Sequence, residues 1–158
     1  MRSKLRGVVL AVLLVPALTA VAHTQTDRMH IGPHVAFEFD NQDFVLGAQF
    51  SVPVAKRLEA YPSFDYYFVD VGSLWALNAD LKWRVARERP DWLYLGTGLN
   101  ISRSTVGNFH HTDAGLNLIV GVESLKGKVH PFGEGRLIVS DETRFQLAAG
   151  LNFTLGRR

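Results

Sequence analysis

The chain has 158 residues, no cysteine, and seventeen basic against fifteen acidic side chains, for a formal net charge of +2. The missing cysteines exclude a disulfide framework, a thiolate nucleophile and a lipid-anchored N-terminal cysteine. No clustered cationic face of the kind a nucleic-acid partner needs is visible, so that partner class is set aside.

Arg2, Lys4 and Arg6 precede an apolar run from Val8 to Val15 and a small-residue close at Ala20-Val21-Ala22, which is the layout of a secretory signal peptide. Residues 1–22 are read as a leader cleaved after Ala22, with Ala20 as the alternative site, and residues 23–158 as one mature domain. Pro16 interrupts the segment, and its apolar core falls short of the roughly 20 residues that a membrane-spanning helix needs. Losing three of the seventeen basic residues with the leader leaves fourteen against fifteen acidic ones, a net charge near −1.

The mature region reads with a period of two, the alternation of a strand with one apolar and one polar face. The spacing predicts strands over 29–39, with Ile31, Val35, Phe37 and Phe39 on one face, and over 44–55, with Phe44, Leu46, Phe50, Val52 and Val54 together. A third, 58–69, sets Phe64, Tyr66 and Phe68 against Glu59, Tyr61, Asp65 and Tyr67. A fourth, 74–86, sets Leu77, Leu81, Trp83 and Val85 against Asn78, Asp80, Lys82 and Arg84.

After the charged turn Arg87-Glu88-Arg89-Pro90-Asp91, a fifth strand begins at Trp92, and the longest loop is expected near Thr105 to Thr112. The sixth, 113–125, opposes Leu116, Leu118, Val120 and Val122 to Asn117, Gly121 and Glu123, with Ile119 breaking the pattern. The seventh, 129–140, is the least regular, with Glu134 and Arg136 opposite Leu137 and Val139. The eighth starts at Thr143 and aligns Phe145, Leu147, Leu151, Phe153 and Leu155 against Arg144, Gln146 and Asn152.

Eight such strands joined by mostly short turns predict an all-β, antiparallel up-and-down barrel, because successive hairpins pair neighbour with neighbour and closure removes exposed edges. Alternation alone does not say which face is outside: a soluble carrier barrel buries the apolar face, and a transmembrane barrel does the reverse. Strands of about twelve residues tilted ~45° rise roughly 28 Å, close to the ~25 Å apolar band of outer-membrane barrels. Aromatic residues on the apolar face gather near strand ends, as an interfacial girdle would place them.

These observations favour an eight-stranded transmembrane barrel with Phe37, Leu81, Leu118, Leu147, Leu151 and Phe153 facing lipid. The inward face would then hold an ion-pair network of Glu38, Glu59, Asp65, Asp80, Lys82, Arg84, Glu123, Glu134, Arg136 and Arg144, since ionised groups in so narrow a lumen must be paired. Pro33, Pro53, Pro62 and Pro131 fall near strand ends on the side of the termini, where a missing ladder donor is tolerated.

The leader, the eight alternating segments and the closing hairpin, Pro131-Phe132-Gly133-Glu134-Gly135-Arg136 followed by 145–153, resemble the small outer-membrane β-barrel proteins of the OmpA/OmpX-like superfamily. The resemblance covers the whole mature region and rests on pattern rather than on a catalytic motif. It implies a monomer in the outer membrane of a Gram-negative-type bacterium, with outer-membrane lipids around it and the barrel-assembly machinery as its partner during biogenesis. That family usually ends on an aromatic residue that the machinery reads, whereas here Phe153 and Leu155 precede Gly156-Arg157-Arg158 and would supply the signal internally.

Candidate chemistry is sparse. His30, His34 and Glu38 share a face of one strand but stand too far apart to ligate one metal, and His110-His111-Thr112-Asp113 reads as a solvated loop sooner than as a metal site. Some barrels of this class modify lipid A, using a serine beside a histidine and an acid; the His-x-Ser of the deacylases is absent, although Ser102 and Ser104 lie near His110 and His111. No catalytic, metal or cofactor assignment follows. The expected function is a structural or surface-interaction role in the cell envelope with a largely occluded, charged lumen. The alternatives are a narrow pore for small solutes, a soluble lipocalin-like carrier of an apolar ligand and, last, a lipid A-modifying enzyme.

Overall fold

A computed structural model describes residues 29–85 and 92–155. Residues 1–28, with the expected signal peptide, residues 86–91, with the expected turn at Pro90, and residues 156–158 lie outside the described residues. The chain runs β1 (Met29–Glu38), β2 (Asp43–Ala55), β3 (Leu58–Phe68), β4 (Ser73–Arg84), β5 (Leu93–Val106), β6 (Phe109–Glu123), β7 (Val129–Val139) and β8 (Arg144–Leu155). Each strand pairs antiparallel with the next, and β1 pairs with β8, so the sheet is a closed eight-stranded up-and-down barrel.

Closure sorts the side chains by parity. In β4, Ala76, Asn78, Asp80, Lys82 and Arg84 are buried while Leu77, Ala79, Leu81 and Trp83 are exposed. The same division runs round the barrel, leaving large apolar side chains such as Leu46, Leu99, Leu118, Val120 and Leu147 outside. Hydrophobic burial therefore does not hold this barrel together in the usual inside-out sense; the ladder of backbone hydrogen bonds and the polar interior do.

Two expectations change. Thr105 to Thr112 is not a loop: β5 and β6 stay paired to Val106↔Phe109, and Gly107-Asn108 alone turns the chain, with Gly107 at φ 58°. The signal was legible, since a two-residue turn containing Gly and Asn between Val106 and Phe109 is a hairpin signature. Strand β7, expected to be irregular, alternates cleanly because His130, Phe132, Glu134, Arg136 and Ile138 all turn inward.

Inward glycines match bulky neighbours across the ladder. Gly47 lies between His34 and Asp65, Gly98 beside Asp80, and Gly121 opposite Tyr94. A Cβ at Gly121 would run into the Tyr94 ring, and one at Gly47 into the His34 imidazole and the Asp65 carboxylate. An eight-stranded lumen is only just wide enough for side chains, so a large residue on one strand demands a missing one on the next.

Candidate functional site: the barrel interior and its vestibule

The polar face of every strand points into the barrel, where its charges form two clusters. Nearer the chain termini, Arg84 bridges Glu59 through Nε and Glu123 through Nη2 at 2.8 Å. Ser51 donates to Glu59 at 2.6 Å, Asn152 to the other Glu123 oxygen at 2.7 Å, and Gln49 to Asn152 at 2.7 Å. His130 stands 3.9 Å from Glu123 and packs against His30 with 4.7 Å between ring centroids.

The central cluster is built on Arg136, whose guanidinium is 3.0 Å from Glu134 and 3.4 Å from both Asp65 and Asp80. Further polar side chains complete these carboxylates. Asn78 reaches Asp65 at 2.9 Å, His34 meets it at 2.7 Å, Asn117 donates to Asp80 at 2.8 Å, and the Tyr94 hydroxyl donates to Glu134 at 2.8 Å. Such charge-assisted bonds are what keep ionised groups tolerable away from water.

Lys82 is solved differently. It is 1% exposed, and its ammonium sits 3.3 Å from the centroid of Tyr61, 4.2 Å from Tyr94 and 5.6 Å from Phe132. It makes no hydrogen bond to any described residue, so the ring faces are its nearest partners.

All ten charged residues expected inside are turned inward, and the structure brings Glu59, Arg84 and Glu123 together and Asp65, Asp80, Glu134 and Arg136 together. Three of the ten make no ion pair with any of the described residues: Glu38, Lys82 and Arg144. Glu38 instead caps the β1–β2 turn, accepting from the Asp40 and Asn41 amides at 2.6 and 3.1 Å and from the Asn41 side chain at 3.0 Å. Opposite charge in the sequence does not point to Tyr61, Tyr94 and Phe132 round Lys82, or to the amides Gln49, Asn78, Asn117 and Asn152. Strand parity was the available signal, because it puts each of them on the charged face.

Phe37, Leu81, Leu118, Leu147, Leu151 and Phe153 point outward; all but Phe37 rank as exposed, and Phe37 is partly covered by Phe39 and Phe44, at 5.1 and 5.2 Å between centroids. With Phe68, Tyr66 and Phe145 these rings band the end away from the termini, while Trp83, Trp92 and Phe153 lie outside the other end.

At the end away from the termini the interior opens into a cavity of about 400 Å³. Ser102, Ser104, His111 and Asp113 form one wall, set there by the pairs Ser104↔His111 and Ser102↔Asp113. Among the described residues no hydrogen bond joins Ser102 or Ser104 to His111, or His111 to Asp113, so this wall does not assemble the geometry of a nucleophilic triad. His110 points the opposite way and meets Thr105 Oγ1 at 3.0 Å. No cluster of three or more metal-ligating side chains occurs among the described residues.

No protein-family model and no curated protein matches the sequence. Solved structures share the fold. The N-terminal β-barrel domain of Pseudomonas aeruginosa OprF is 13% identical, with a TM-score of 0.70 over 84% of this chain and 100% of that one. Neisserial surface protein A is 16% identical, with a TM-score of 0.58 over 81% of this chain and 95% of that one. A de novo designed transmembrane β-barrel is 10% identical, with a TM-score of 0.57 over 84% of this chain and 98% of that one. This chain thus has the architecture of the small eight-stranded transmembrane barrels.

Proposed function

We propose that the protein resides in a bacterial outer membrane as a lipid-embedded barrel with a closed lumen, serving the envelope structurally or through its surface and not as a catalyst. The observation that carries this reading is the inversion of burial. Leu99, Leu118, Val120 and Phe44 are 57%, 51%, 52% and 67% exposed, whereas Asp65, Glu38, Lys82 and Asn117 are at most 1% exposed. A soluble carrier would need the opposite arrangement, and an apolar exterior of this extent is stable only against a non-aqueous medium.

Two aromatic bands at opposite ends of the outer face fit the headgroup levels of a bilayer. The likeness to OprF and to Neisserial surface protein A supports the same location. Closure of the lumen is supported by Arg84, Lys82 and Arg136 meeting side chains from several strands in successive layers.

Fractionation of expressing cells tests the reading. The protein should pellet with outer membranes, require detergent for extraction, and run on gels at a different apparent size before and after boiling. Monodisperse protein in buffer without detergent would refute it.

A further inference from the structure

Arg144 opens β8 at the floor of the vestibule and is 8% exposed, yet it makes no hydrogen bond or ion pair with any described side chain. Its guanidinium carbon lies 5.8 Å from the centroid of the Tyr67 ring, and Asp43 is near enough to feel its charge. The inward carboxylate on the neighbouring strand, Glu38, is engaged by the β1–β2 turn through both oxygens. Below Arg144, Tyr67, Ala76, Val45 and Ala36 form an apolar cluster with Leu74 packed on it, which separates the cup from the central ion pairs. No Arg144 nitrogen is among the fully buried, unpartnered side-chain atoms, so the guanidinium faces the cup, where its planar set of donors matches a carboxylate.

The rim has the opposite sign. Asp113, Asp141 and Glu142 border the same cavity. A purely anionic ligand would meet their repulsion on entry, and a purely cationic one would meet Arg144 at the bottom. A molecule carrying both charges satisfies each end, with Ser102, Ser104 and His111 available to hydrogen-bond along the wall. The volume of about 400 Å³ is within the ordinary range for small-molecule sites.

The geometry points to a binding site for a small zwitterion of the amino-acid class, its carboxylate on Arg144 and its ammonium among Asp113, Asp141 and Glu142. The inference goes beyond the proposed envelope role and needs from it only that the barrel be folded, whether or not the lumen conducts.

The test is a titration of isotope-labelled protein, folded in a non-ionic detergent so that no charged headgroup competes, followed by nuclear magnetic resonance. Glycine and 4-aminobutyrate are the zwitterions; acetate and methylammonium are the single-charge controls. At least one zwitterion should shift the signals of Ser102, His111 and the Arg144 side chain saturably, with each control at least ten-fold weaker. Arg144→Gln should weaken zwitterion binding at least ten-fold. Because that variant removes a buried group, the exposed-rim change Glu142→Gln provides a second reading: it should weaken the zwitterion several-fold, while acetate, relieved of one repelling carboxylate, binds no more weakly. No saturable shift, acetate binding as tightly as the zwitterions, or unchanged binding by both variants would overturn the inference. Membrane fractionation is independent of all of these readouts.

Discussion

Position by position, the barrel reverses the usual consequences of substitution. Leu118 faces outward, 51% exposed, and in water an arginine there would be harmless. Against lipid the same change near the bilayer middle should cost about 2–4 kcal/mol, which urea unfolding from lipid vesicles would measure; an effect within experimental error would place that face in water. The adjacent Asn117 is not a mild control, because its amide donates to Asn78 at 2.9 Å and to Asp80 at 2.8 Å. Space is equally constrained: Gly121→Ala should destabilise by about 1–3 kcal/mol through overpacking against Tyr94. Most of that penalty should vanish in a Tyr94→Ala background, and a double-mutant cycle showing simple additivity would contradict the matched-glycine explanation.

Among the elements, turns and cross-strand charges set the register. In the Lys56-Arg57 connection Arg57 takes φ 71°, and the β2–β3 register shifts between Pro53 and Ala55. A left-handed conformation is unfavourable for arginine, so Arg57→Gly should raise stability by about 0.5–1 kcal/mol after allowing for the greater freedom of unfolded glycine. Equilibrium unfolding of the two proteins checks the sign. Arg136 ties β7 to β3 and β4 through Asp65 and Asp80. Arg136→Met should destabilise by about 3–5 kcal/mol, because three carboxylates lose their counter-charge. Adding Asp65→Asn and Asp80→Asn should recover part of that loss; no recovery would mean that Arg136 acts by packing alone.

For the molecule as a whole, a closed cylinder with charges layered along its axis should pass no steady ionic current. Reconstitution into a planar bilayer should give a silent protein, and a stable conductance would establish the pore alternative instead. The chain's own residues largely dictated the cylinder. Period-two alternation in 29–39, 44–55 and 143–155 reports side-chain direction directly, since every second residue of a strand shares a face, and short turns leave little choice of partner. The parity rule also put Asp65, Lys82 and Arg136 on one surface without any coordinates. What only the tertiary structure decided depends on distances between strands remote in sequence: that Arg136 meets Asp65 across 71 positions, that Lys82 rests on aromatic rings and not on a carboxylate, and that Arg144 is left facing an open cup. Alternation states which way a side chain points, but its partner depends on strand stagger and barrel curvature, which arise only when β1 closes on β8.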